Sequence, residues 1–245
     1  EGTRMKSDTP KVLHKVCGQP ILTYIIQAAR KAGAQKIVVV VGKGADKVKE
    51  HYAGEDIEFV LQREQKGTGH ALMQAEDAVK GSSQIVVLCG DMPLVTAESI
   101  EGMVRFHQEQ RAACTVMTAI VEDPTGYGRI IKKGEKVLDI REHKDATLEE
   151  REIKEINSGF YCFDTSLVFS ALSKVKNDNV QGEYYLTDVV KILNQEGKQV
   201  VAFQLDDPNE LQGINDRKQL AQVQKLMQRK IIEGWMEKGV TFINP

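Results

Sequence analysis

Short apolar runs alternate with amphipathic stretches along the first half of the chain. "KIVVVVG" (36–42), "IEFVLQ" (57–62) and "SQIVVLCGD" (83–91) place apolar, largely β-branched residues on consecutive positions. Such runs are the pattern of strands buried on both faces. Between them "ILTYIIQAARKAGA" (21–34), "GADKVKEHYA" (44–53) and "GHALMQAEDAVKG" (69–81) read as helices. "AESIEGMVRFHQEQRA" (97–112) leads to a further strand, "ACTVMTAIV" (113–121). Strand and helix in alternation predict right-handed crossovers and an α/β fold, a doubly wound, mostly parallel, Rossmann-like sheet.

After residue 122 the rhythm changes. "GRIIKKGEKVLDIREHKD" (128–145) reads as a hairpin turned at Lys133-Gly134, "EINSGFYCFD" (155–164) as another strand and "VVAFQL" (200–205) as a last one. A β-rich patch of this kind either builds one wall of a substrate pocket or elaborates an edge, and the residues alone leave both open. Residues 215–239 predict a long helix, with Leu220, Val223, Leu226, Met227 and Ile231 near helical spacing. We therefore expect one domain over 1–215, with 122–165 as its β-rich part, and a helix with a tail over 216–245. There is no internal repeat and no low-complexity segment.

At 245 residues and 41% hydrophobic the chain can bury a core of its own. Its net charge of −2 argues against a nucleic-acid surface, which needs excess Lys and Arg on one face. An anionic ligand must then be met by local cations or a metal. Cys17, Cys89, Cys114 and Cys162 form no CxxC pair and read as buried, reduced thiols, as in the cytoplasm. No apolar run approaches the roughly 18 residues that span a bilayer.

Ligands of open α/β sheets bind beyond the carboxyl ends of the strands. Three places there are unusual. The opening "EGTRMKSDTPK" puts Arg4 and Lys11 on a glycine-led loop, where backbone N–H groups near Gly2 can cradle phosphate oxygens. A flexible basic terminus is the bland alternative; GxxxxGK[ST] is absent. Asp91 ends a wholly apolar strand, which suits a magnesium ligand or a turn aspartate ahead of Pro93. In "QREQKGTGHA" the Gln62 amide can read one edge of a base, with Gly67 and Gly69 letting backbone approach, while Thr68 can equally cap the following helix. The five histidines show no metal-ligand spacing, and nothing marks a covalent nucleophile.

"GTRMKSDTPKVLH" (2–14) resembles the signature loop of the sugar-phosphate nucleotidylyltransferases. With "LQREQKGTGHA" (61–71), "GDMPL" (90–94), "DPTGYGRI" (123–130), "EINSGFYCF" (155–163) and "QGEYYLTDVV" (181–190), in that order, it is similar to the uridylyltransferase domain of the bifunctional bacterial enzymes that make UDP-N-acetylglucosamine. In that family a strand and Ala-Ala-Gly precede the loop, and Glu1 takes the variable place between two glycines, so a strand is expected ahead of it. Where many relatives carry an aromatic before "GD", this chain has Cys89, which should alter packing near the ligand.

The resemblance implies roles. Arg4 and Lys11 would hold the nucleotide phosphates, with Gly2 in the loop. Gln62, Gly67 and Thr68 would read uracil. Gly128, Glu142 and Asn157 would hold N-acetylglucosamine, and Asp91 with Asn215 would bind Mg2+. The reaction implied is transfer of UMP from UTP to N-acetylglucosamine 1-phosphate, with pyrophosphate leaving. It also implies a left-handed β-helix domain beyond "KGVTFINP", carrying acetyl transfer and building a homotrimer, so that this stretch alone is expected to be a monomer. Rival readings are UMP or dTMP transfer to glucose 1-phosphate, and a nucleotide- or sugar-sensing module without turnover.

Overall fold

The computed structural model describes residues 2–243. Glu1, and with it the start of the phosphate loop expected above, lies outside them. The chain opens on 3-10 turns at Gly2–Met5 and Lys11–Leu13 and a short hairpin of β1 (Lys15–Val16) and β2 (Gln19–Pro20). Helix α1 (Ile21–Lys31) buries Ile21, Leu22, Ile25, Ile26 and Ala28, one apolar stripe at helical spacing. β3 (Val38–Val41) and β4 (Glu58–Leu61) pair in parallel, joined through α2 (Ala45–His51). α3 (Thr68–Gln74) leads to β5 (Gln84–Val87). α4 (Ala97–Glu109), whose first turn is capped by Thr96 Oγ1 accepting from the Ser99 amide, leads to β6 (Cys114–Ile120).

The second half supplies β7 (Gly128–Lys133), β8 (Lys136–Arg141), α5 (Leu148–Arg151) and β9 (Glu155–Asp164). Then come α6 (Thr165–Leu172), α7 (Asp188–Gln195), β10 (Val200–Gln204) and α8 (Arg217–Met236). The hairpin turns where expected, with Gly134 left-handed at φ 62°.

The α/β class holds, with a mixed sheet. Six strands run in the order β5-β9-β6-β10-β8-β7. β5, β6 and β10 share one direction, and β9 lies reversed between β5 and β6 while also pairing with β7. The 155–164 segment is therefore central. Its burial follows: Phe160, Tyr161, Cys162 and Phe163 are all buried. The β7–β8 hairpin sits at the sheet edge, and its first residue, Gly128, is registered opposite Asn157 of β9.

Three expectations need correction. The 36–42, 57–62 and 83–91 strands are only partly buried: Val38–Val41 and Ile85–Val87 line a cavity of about 2120 Å3, and Glu58 and Leu61 of β4 are exposed. Cys114 and Cys162 are buried, but Cys17 and Cys89 are partly exposed. Cys17 occupies the β1–β2 turn at φ 46°, outside any apolar strand. The helix expected over 69–81 stops at Gln74 and resumes only as a 3-10 turn at Asp77–Val79.

α8 packs its first half onto the domain. Val223 and Met227 join Val16, Ile21, Leu94 and Ile214 in one cluster, and Gln224 Oε1 accepts from the Cys17 amide at 2.8 Å. Its second half exposes Ile231, Trp235 and Met236. Among the described residues no helix is long and apolar enough to cross a membrane.

Candidate active site

The large cavity has an apolar part between β3 and β5 and a polar end. At that end Lys11, Gln62, Thr68, Gly128, Glu142 and Asn157 share its lining, so residues from four segments of sequence converge. Lys11 Nζ donates to Asp91 Oδ2 at 2.5 Å and to Asn215 Oδ1 at 3.1 Å. One carboxylate and one amide oxygen thus converge on a single cationic point. Hard oxygen donors of this kind suit Mg2+, so the chemistry of the pair fits that ion. Among the described residues no three His, Cys, Asp or Glu side chains gather into a metal-binding group. Asn215 is held in turn: its backbone N–H donates to Gln219 Oε1 at 2.7 Å, and the Ile214 backbone N–H donates to the Asp91 carbonyl at 2.9 Å.

Arg4 is exposed in the first 3-10 turn and makes no ion pair among the described residues. It is not lined up on the cavity with Lys11.

The glycines of "GTG" have a use the sequence reading missed. Gly67 has φ +103°, and a Cβ there would meet the Tyr184 carbonyl at 2.7 Å; one at Gly69 would meet it at 2.9 Å. The backbone of 66–69 is clasped against 184–186: Tyr184 N–H donates to Lys66 O and Gly69 N–H to Tyr184 O, both at 2.8 Å. Thr68 does not cap α3, whose N-cap is Gly67; its hydroxyl accepts from the Leu186 amide at 3.2 Å. Two glycines bracketing a threonine signal a close backbone approach, although the partner segment cannot be read from them. Gln62 is buried, and its Nε2 lies 3.1 Å from Gly67 O and 3.0 Å from His70 Nδ1.

On the opposite wall, Asn157 donates from Nδ2 to the Tyr161 hydroxyl at 2.7 Å and accepts on Oδ1 from the Gly159 amide at 3.0 Å. Gly128 packs so closely that a Cβ would stand 3.1 Å from Ile140 Cγ2. Glu142 accepts from Thr187 Oγ1 at 3.2 Å. Burial pushes its carboxyl up from the usual range, the Thr187 hydrogen bond partly offsets this, and Asp145, Asp188 and Glu183 push it further up. Thr187 lies in "QGEYYLTDVV", a motif for which no role was legible. Cys89 packs against Gly159, where a Cβ would come within 2.8 Å of its Sγ, and burial beside Asp91 raises the thiol to about 12.

Beneath this wall Arg129 is 1% exposed, with its guanidinium bonded to the carbonyls of Tyr127 and Arg151 and 3.3 Å from His143 Nδ1. It faces no carboxylate within 4.0 Å among the described residues. The loop before Gly128 and the residue after Glu142 are therefore tied to one buried side chain.

Comparison with known proteins gives a consistent outcome. The chain is 49% identical to Bifunctional protein GlmU of Halalkalibacterium halodurans and of Listeria monocytogenes serotype 4a, over all of this chain and 54% of each relative. It is 47% identical to the protein of that name from Alkaliphilus metalliredigens. The chain thus spans about half the length of the curated relatives it matches. Among solved structures, a UDP-glucose pyrophosphorylase in complex with UDP-glucose superposes with a TM-score of 0.75 at 18% identity, covering 94% of this chain and 95% of that one. A putative glucose-1-phosphate thymidylyltransferase from Bacillus anthracis superposes with a TM-score of 0.75 at 21% identity, covering 92% and 90%. These two show the same fold. Residues 2–239 match the family described as nucleotidyl transferase, and the chain belongs to it.

Proposed function

We propose that this domain transfers UMP from UTP to N-acetylglucosamine 1-phosphate, giving UDP-N-acetylglucosamine and pyrophosphate. The observation that carries the reading is the convergence of Lys11, Asp91 and Asn215 on one point beside a cavity walled by Gln62, Gly128, Glu142 and Asn157. The full resemblance of the motifs supports the choice of sugar.

A phosphate oxygen of the sugar 1-phosphate forms a bond to the α-phosphorus of UTP as the bond to the β-phosphate oxygen breaks. The nucleophile is already an anion, so no general base is required. What the chain must do is hold two repelling anions in line and offset their charge. Lys11 is the cation for the phosphates, and Arg4 on the same opening loop, led by Gly2, would add a second. Gln62, with Gly67 and Thr68, faces the base. Gly128, Glu142 and Asn157 bind the sugar, Glu142 accepting from hydroxyls. Asp91 and Asn215 would hold Mg2+, which supplies charge neutralisation at the triphosphate.

Four free thiols fit a reducing, cytoplasmic setting. We read residues 1–215 as the uridylyltransferase domain, with 122–165 as its sugar wall, and α8 with the tail as the connection to the remaining half of a bifunctional, trimeric protein. The exposed Ile231, Trp235 and Met236 suit a helix that meets a further partner there. Pyrophosphate release by the full-length protein from UTP and N-acetylglucosamine 1-phosphate, with and without Mg2+, tests the reaction. Absence of release with Mg2+ present overturns it.

A further inference from the structure

We infer that His70 is a specificity-determining residue: it locks the Gln62 amide so that only the carbonyl oxygen is offered to a nucleotide base. The inference rests on the reading that Gln62 faces the base.

The Gly67 carbonyl can only accept. The Gln62 group 3.1 Å from it must therefore be the NH2 and not the oxygen. That NH2 has a second proton, and the His70 Nδ1 lies 3.0 Å away. Of the two contacts made by the ring, this one is shorter than the 3.4 Å contact between its Nε2 and Gln74. Nδ1 is then the bare, accepting nitrogen, and the ring proton sits on Nε2. Both N–H groups of Gln62 are spent within the protein. Oε1 alone is left for a ligand, on a side chain that is 8% exposed and lines the cavity.

An acceptor fixed in this way selects bases by the proton they bring. Uracil and thymine carry an imide N3–H, a donor. Cytosine presents a bare N3 acceptor at the same place and must slide to bring its amino group to Oε1. Without His70, the NH2 keeps one bond to Gly67 O but regains an uncommitted proton, and the amide can tilt to donate to cytosine N3. The lock thus works by leaving the wrong base unpaired, which is how hydrogen-bonding sites discriminate most strongly. The same arrangement does not separate UTP from dTTP.

The test is titration calorimetry of UTP and CTP, with Mg2+, on the full-length protein and on His70→Ala and His70→Asn, with thermal melting of each. We expect the wild type to prefer UTP, His70→Ala to lose at least about tenfold of that preference, and His70→Asn, whose side-chain oxygen can accept from the same amide, to recover most of it. An unchanged UTP/CTP ratio in His70→Ala, or no preference in the wild type, overturns the inference. A simple loss of packing would weaken both nucleotides alike and leave the ratio standing, which also counts against it. Because binding needs no sugar, a protein that prefers UTP yet releases no pyrophosphate would overturn the proposed reaction and not this assignment.

Discussion

Lys11 Nζ lies 2.5 Å from Asp91 Oδ2, and the same ammonium donates to Asn215 Oδ1. The lysine thus occupies the two oxygens proposed to hold Mg2+. A cation already paired with a carboxylate competes with an incoming one, and a triphosphate that draws Lys11 away relieves that competition. By reciprocity, nucleotide should strengthen metal binding and metal should strengthen nucleotide binding. Removing the ammonium by Lys11→Ala should therefore raise Mn2+ affinity without nucleotide, read by electron paramagnetic resonance. The same variant should lose about 10²–10³ in turnover, since a charge aimed at the developing anion is gone. Weaker metal binding in nucleotide-free Lys11→Ala would contradict the competition.

Glu142 gives a pH signature. Its carboxyl is pushed up in the folded protein, chiefly by burial and then by neighbouring acids. A raised folded value means that the protonated form is favoured by folding. The stabilisation is complete below the ordinary value of 4.5 and is lost as pH rises through the folded value. Glu142→Gln mimics the neutral acid. It should melt higher than the wild type at neutral pH, with the gap closing as pH falls toward 4.5, while sugar 1-phosphate binding weakens. Melting curves across pH check the sign.

Gly67→Ala should destabilise strongly, because it adds a left-handed backbone penalty to a Cβ 2.7 Å from the Tyr184 carbonyl. A cost of about 1–3 kcal/mol is expected from strain alone, with the clash added. Gly126→Ala is the control: φ is +87°, yet nothing lies within 4 Å, so only the backbone penalty of about 1 kcal/mol applies. Urea midpoints for the pair separate conformation from contact.

Arg129→Lys keeps a charge but loses the planar fork that reaches the Tyr127 and Arg151 carbonyls and His143 together. The buried lysine leaves carbonyls unpaired, and a loss of about 2–4 kcal/mol is expected. Denaturant unfolding measures it. A variant within about 0.5 kcal/mol of the wild type would show that the guanidinium fork is dispensable.

Much of the fold was legible because apolar runs and turn signals are local. The segments 83–91, 128–145 and 155–164 each carry a strand, and Gly134 turns the hairpin. What sequence could not give is who neighbours whom. β9 reads as one more strand after a hairpin, and nothing in "EINSGFYCFD" says that it lies reversed between β5 and β6. The same holds in the site. Asp91 and Gln62 stand out by chemistry and Asn215 enters only through the family resemblance, whereas His70 and Thr187 act by holding another side chain and leave no local mark. The glycines at 67 and 69 were visible, but their cause, the 184–186 backbone, lies more than a hundred positions away.

The Lys11–Asn215 contact joins residues 204 positions apart. Closing so long a loop is entropically late, and folds rich in such distant pairings assemble slowly. During synthesis, Lys11 emerges early but has no amide partner until Asn215 has left the ribosome, after every strand of the sheet. Premature termination or cleavage ahead of that asparagine would leave a chain with most of its strands and an incomplete grip on the Lys11 ammonium.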